Sequence, residues 1–254
     1  MLNLIEIELK KLQRRKFLLF ATLAAIILPI PLSFLTTKTG QGYDFLYKSV
    51  INLGQFVLLI PVLCIVATML FFEERDNNTL KSLLTVPIST FKLACAKLFV
   101  LLGVSIIYSL FAFIATIIGT VLGHTSIEYV FSKLILCIIT GIMIWVASLP
   151  CIAIIIRLSK NYILSVLLSF LYAVIGFIVS NATVTLSSPN FFMVLPVNVI
   201  NRWLLPTFQK LNTAPYPFDI GTSAVSTCNC VLYLLIYAFV FGWLICKFFD
   251  KWND

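Results

Sequence analysis

Seven cysteines, at positions 64, 95, 137, 151, 228, 230 and 246, and one histidine, His124, are the residues that could bring metal or redox chemistry to this chain of 254 residues. Their spacing supports neither. There is no C-x-x-C pair, and the cysteines fall mostly inside apolar runs with no Cys/His cluster around the histidine. Cys228 and Cys230 are two apart, so on a helix they point to opposite sides and cannot readily bridge. All seven read as small membrane-core residues, with no metal and no disulfide, and His124 as an incidental loop residue. Nucleotide chemistry is missing too, since no G-x-x-x-x-G-K-[ST] run exists to cradle phosphates. No catalytic pair is apparent, so no catalytic residue is assigned and the chain is not read as an enzyme.

Composition explains why so little chemistry is on offer. The sequence is 61% hydrophobic and only 11% charged, with a mean hydropathy of +1.05. A soluble globule carries roughly 25% charged and about 45–50% apolar residues, so the surplus apolar surface calls for lipid. The net charge of +8 comes from basic residues at the ends of apolar runs rather than from a surface stripe. That placement speaks for membrane topology and against a nucleic-acid partner.

The fold class is therefore all-α and polytopic. A span needs about 20 apolar residues to cross roughly 30 Å of hydrocarbon. Six runs qualify, at about 17–37, 49–72, 98–122, 133–156, 161–180 and 228–249. Pro29, Pro31, Pro61 and Pro150 should kink their helices. With the N-terminus inside, thirteen Lys and Arg fall on the cytoplasmic side and five (Lys38, Lys48, Lys133, Arg202 and Lys210) outside, which predicts an N-in, C-in chain. Ahead of the first span, Leu2, Ile5, Leu9 and Leu12 recur at helical spacing. Residues 1–16 thus read as an amphipathic helix in the inner interface, its basic end drawn to anionic lipid.

The informative cytoplasmic segment is 73–97. Glu73, Glu74, Arg75 and Asp76 end the second span, because charges do not stay in hydrocarbon cheaply. Asn77 or Asn78 can cap a short helix carrying Leu80, Leu83 and Leu84 on one face. Val86 before Pro87 stops it, and Ser89 or Thr90 caps the helix entering the third span. Such a crosswise, partly apolar knob suits a chain that receives force from a soluble partner; a plain connecting loop is the simpler alternative. The glutamate pair leaving span two, Thr79 with its leucine-rich turn, Pro87-Ile88-Ser89 and Ala96-Lys97 together resemble the ABC-2 type of ABC transporter permease. The six spans, the N-terminal helix and the long outer segment before the last span match as well, so the resemblance covers essentially all of 1–254 as a single transmembrane domain. In its short size the chain is most similar to the permeases of lantibiotic-immunity and bacitracin-resistance transporters.

The resemblance implies that 77–87 is the coupling helix that docks on a separate ATPase, with Glu73, Glu74, Arg75, Thr79, Leu80, Leu83, Leu84 and Pro87 as its contact residues. It also implies two ATPase copies holding ATP and Mg, with no cofactor bound by the chain itself, a second permease copy or paralogue, and the bacterial cytoplasmic membrane. The residues add an independent point. Apart from the edge residues Lys48, Lys133 and Lys247, the six runs hold no Asp, Glu, His, Lys or Arg. Ion-driven transporters keep such groups at membrane depth, so the energy is expected from outside the chain.

A pathway past Ser105, Tyr108, Ser109 and Tyr172 would suit an amphipathic or lipid-like cargo; the same hydroxyls can instead bond backbone carbonyls or neighbouring helices. Export of membrane-active antimicrobial peptides is the leading expectation. Export of another toxin, lipid or drug, or a non-transporting immunity scaffold, are the alternatives. In the outer segment 181–227, the aromatic stretch from Phe191 and Phe192 past Pro196 to Arg202 and Trp203 is too short to cross and too apolar for a solvated loop. A re-entrant or interfacial helix pair is expected there, and the resemblance makes it an outer gate.

Overall fold

A computed structural model describes residues 2–13, 23, 25–38, 42–76, 90–123, 127–158, 161–185, 195–211 and 224–250. Among these, 93% are helical and none lies in a strand, so the fold is all-α. The elements are α1 (Leu2–Gln13), α2 (Pro29–Lys38), α3 (Tyr43–Ser49), a π-helical segment (Val50–Leu59), α4 (Ile60–Asp76), α5 (Thr90–Leu122), α6 (Val130–Leu158), α7 (Tyr162–Thr185), α8 (Pro196–Lys210) and α9 (Thr227–Asp250).

Among the described residues, five helical stretches are long and apolar enough to cross a membrane: Tyr43–Phe72, Thr90–Leu122, Val130–Leu158, Tyr162–Ala182 and Thr227–Asp250. They coincide with the last five of the six predicted spans. The first, 17–37, falls partly outside the described residues. What is described there is an apolar helix, Ala25–Leu35, too short to cross alone. Its regular pattern breaks at Leu28, the residue before Pro29, which lacks the N–H that a regular helix would use.

The second span begins six residues earlier than its apolar run, at Tyr43, and changes pitch along its length. Ten residues, Val50–Leu59, wind as a π-helix before the α form resumes at Ile60. Pro61 follows at once. Lacking an N–H, it releases a carbonyl one turn back, and a wider turn can accommodate that release. Pro150, by contrast, lies within α6 without ending it.

Chain direction sorts the helix ends into two groups. α4 finishes and α5 starts at one end of the bundle, which also holds α1 and the last turn of α9; Thr90 Oγ1 donates to Asp250 Oδ1 there at 2.6 Å. The start of α3, the end of α5, the start of α6 and α8 share the opposite end, where Tyr47 meets Phe208 edge to face at 6.4 Å. α4, α5 and α6 form the core, with Leu63, Cys64, Leu101, Ile144 and Ile152 wholly buried. α7 and α9 turn broad apolar faces outward, including Leu167, Leu171, Leu235 and Phe239. Cys228 is exposed and Cys230 buried, as two positions on opposite sides of a helix should be.

Candidate functional site

The described bundle carries three buried polar clusters at three depths. The middle one is neutral. Gln55, in the π-helical segment and wholly buried, donates its amide to Ser109 Oγ at 3.3 Å and to the Cys137 carbonyl and Sγ at 3.1 Å each. Thr140 Oγ1 donates to the Gln55 carbonyl oxygen, and Cys137 Sγ donates to the Ser109 carbonyl at 3.3 Å. Next to it Tyr108 Oη donates to the Gly54 carbonyl at 3.0 Å. The helices approach this closely because Gly141 has no side chain. A Cβ there would lie 2.1 Å from Ser109 Oγ, and Ser105 Oγ donates to the Gly141 carbonyl at 2.6 Å. Small residues at a crossing and polar groups satisfied across it are how apolar helices in lipid acquire specific partners.

The second cluster lies at the end from which the 77–89 connection leaves. Lys97 is wholly buried within α5. Its Nζ donates to Glu8 Oε2 at 3.1 Å and to the Leu70 carbonyl at 2.8 Å, joining α1, α5 and α4. Glu8, itself buried, also accepts from Lys11 at 2.9 Å. The ammonium sits 5.7 Å above the Phe71 ring, which meets Phe249 of α9 edge to face at 5.3 Å. This changes the reading of α1. A stripe of Leu2, Ile5, Leu9 and Leu12 predicts that Glu8 faces away from the apolar side. Instead Ile5 packs on the core, Glu8 is buried one turn on, and Ile7 and Leu9 are exposed. The ion pair, with its desolvation offset by two strong bonds, determines which face docks.

The third cluster lies at the opposite end. Lys133 is wholly buried and pairs with Asp44, whose side chain is 33% exposed. The Lys133 ammonium lies 4.1 Å from the Tyr43 ring centroid, and Tyr47 Oη donates to the Lys133 carbonyl at 2.7 Å. Lys133 stands at a span edge, as its place in the sequence implies, but is enclosed rather than solvated, while Asp44 lies in the stretch by which the second span begins early. α8 closes this end. Asn201 Nδ2 donates to Ser180 Oγ of α7 at 2.6 Å and Trp203 Nε1 to Thr227 Oγ1 of α9 at 3.2 Å. Arg202 is 3% exposed, and burial pushes its guanidinium below its ordinary pKa.

The residues singled out from sequence distribute as follows. Glu73, Glu74 and Arg75 occupy the last turns of α4, which ends at Asp76; Thr79, Leu80, Leu83, Leu84 and Pro87 lie outside the described residues. Pro196 opens α8, with Arg202 and Trp203 on it, while Phe191 and Phe192 lie outside, as does His124. α8 is a single helix of 15 residues, buried along most of its length. Of the four path hydroxyls, Ser105, Tyr108 and Ser109 gather around the middle cluster. Tyr172 stands apart, donating to the Ala147 carbonyl at 2.9 Å, and Ser109 donates to the Ser105 carbonyl at 2.9 Å. In this conformation each of the four hydroxyls is bonded to a backbone carbonyl, the commoner role for such groups. Gln55 is the residue that a survey of charges and hydroxyls passes over, and the burial of Glu8 is what its place off the leucine stripe conceals. An amide inside an apolar run was the available signal for the first.

The two paired lysines and the neutral knot between them fall within one stretch of recognisable sequence, and α8 and α9, which pack around them, lie beyond it. Residues 4–176 match the family described as ABC-2 family transporter protein. No curated protein matches the chain. The matched stretch exceeds half of the chain and runs from α1 into α7, so the chain belongs to the ABC-2 family of transporter proteins.

Proposed function

We propose that the chain is the permease subunit of an ATP-driven exporter, with a separate ATPase docking on 77–87 and energy entering the bundle through the roots of that segment. The observation that carries this reading is the family match over 4–176, which encloses α4, the 77–89 connection and α5 in one unit. The structure of the roots supports it. Glu73, Glu74 and Arg75 extend the helix of the second span directly to the connection, and a continuous helix transmits displacement that a flexible linker would dissipate. ATP and Mg would be held by the ATPase, present in two copies, and a second permease copy or paralogue would complete the assembly.

Six crossings are supported by where the chain's first elements sit. Glu8 of α1 bonds Lys97 near the start of α5, whereas Ser33 of α2 lies against Gly119 near the far end of the same helix. Twenty-two residues of α-helix separate Lys97 from Gly119, about 33 Å at 1.5 Å per residue. This separation supports reading one further crossing between Glu8 and Ser33 in addition to the five apolar helices. The excess of Lys and Arg on one side supports an N-in, C-in chain, and the membrane we propose for it is the bacterial cytoplasmic one. α8, buried yet too short to cross, fits a re-entrant outer gate.

For cargo we propose a membrane-active antimicrobial peptide of the lantibiotic or bacitracin type. The apolar outer faces of α7 and α9 and the neutral middle of the bundle suit a molecule taken from lipid rather than a small ion. Deleting 77–87 should leave membrane insertion intact and abolish co-purification of the ATPase; association that survives the deletion contradicts the docking assignment. Cells carrying the complete transporter should resist a peptide panel that kills cells with a hydrolysis-dead ATPase. Equal protection by the dead ATPase would point to sequestration.

A further inference from the structure

We infer that Lys97 is a positioning residue of the transport cycle, clamping α1 and the end of α4 to the start of α5 so that the two roots of the 77–89 connection move as one body. The inference rests on the reading of that connection as the ATPase docking segment.

The geometry is specific. Leu70 lies six residues before the end of α4 at Asp76, and Lys97 seven residues after the start of α5 at Thr90. The bond between them, 2.8 Å from Nζ to the Leu70 carbonyl, therefore ties together the two helices that enter and leave the connection. The same ammonium reaches Glu8 at 3.1 Å. Lys11 engages the other oxygen of that carboxylate at 2.9 Å, so it is held from two sides. Through Phe71 and Phe249, and through the Thr90 to Asp250 bond, the last turn of α9 joins the same body.

Packing alone does not call for a lysine here. A buried ion pair is costly to desolvate, and an apolar side chain of equal length fills such a site at least as well. What an apolar residue cannot supply is directional bonding to two other helices at once. Without it only apolar packing, which carries no directional bond, fixes the register of α1 and α4 on α5, and a displacement arriving at the connection is partly absorbed at its roots.

The test places spin-labelled unnatural amino acids at the exposed positions Ile7 of α1 and Phe99 of α5, in lipid nanodiscs. For the chain alone, the native pair should give one narrow distance distribution. Lys97→Met should broaden it at least twofold, whereas Lys97→Arg, which keeps a cation and donors for both Glu8 and the Leu70 carbonyl, should stay narrow. An unchanged distribution in Lys97→Met, or broadening in Lys97→Arg as large as in Lys97→Met, overturns the clamp. In the assembled transporter, Lys97→Met should retain ATPase association and hydrolysis while the ATP-driven shift between labels at Val121 and Leu235 falls to less than half. A full native shift in that variant overturns the positioning role. If the native chain recruits no ATPase, the proposed function fails, and the measurement on the chain alone still decides whether Lys97 clamps α1.

Discussion

At the scale of single residues, the account turns on Gln55 and on Gly141. Gln55 shares its amide with Ser109, Cys137 and Thr140, but both hydroxyls hold other acceptors. Ser109 Oγ donates to the Ser105 carbonyl and Thr140 Oγ1 also reaches the Cys137 carbonyl. Gln55→Leu should therefore cost only about 1 kcal/mol, in line with interhelical polar bonds in lipid. Gln55→Glu places a charge mid-span and should cost about 3 kcal/mol or block insertion. Thermal unfolding of the two variants in detergent checks the order, and equal losses would mean that the site is wetter than its burial implies. Gly141→Ala drives a methyl to 2.1 Å from Ser109 Oγ and should lower stability by about 1–3 kcal/mol, as overpacking does. Adding Ser109→Ala should recover much of that loss, since the remaining Cβ contact of 3.1 Å needs only a slight shift. The cluster was only half legible beforehand. Ser105, Tyr108 and Ser109 stand out as hydroxyls in an apolar run, but nothing in their spacing reveals that backbone carbonyls receive them. Gln55 carries no charge and so escaped a search for ionisable groups.

Elements behave as the apolar pattern dictates until a charge overrides it. Five spans were legible because length and hydropathy alone determine them. The extension of the second span back to Tyr43 was not, because Asp44 and Lys48 look like loop residues until Lys133 supplies a buried partner. The π-helical segment was equally hidden: a pitch change leaves composition untouched, and Pro61 announces a kink as readily as a wider turn. α1 shows the same conflict at smaller scale, where the pairing of Glu8 with Lys97 outweighs a periodic stripe of leucines. The Asp44–Lys133 pair gives this a test. Asp44→Asn leaves a buried cation with ring faces and little else. It should cost about 3 kcal/mol, the low end for breaking a buried pair, because Asp44 is one-third exposed. The double change D44N/K133M removes the stranded charge and should be less damaging than the single one. Unfolding of both variants in the same detergent decides, and a double variant worse than the single would mean that Lys133 has a stabilising role beyond Asp44.

For the whole molecule, the described bundle is polar at its two ends and neutral in between, with each end's lysine paired inside the protein. Family membership follows from the sequence match. Sidedness, cargo and assembly were legible only as proposals, because charge bias orients a chain without identifying what passes through it. If both termini face the cytoplasm, reporters fused after Asp254 and ahead of Met1 should register the same compartment; opposite compartments would remove the sixth crossing. The most direct test of the central claim is reconstitution in vesicles, following efflux of a labelled lantibiotic. Three preparations suffice: the chain alone, the chain with its ATPase, and the chain with a hydrolysis-dead ATPase. Efflux confined to the active pair is the predicted result, and transport by the isolated chain, with no nucleotide hydrolysed, would contradict it.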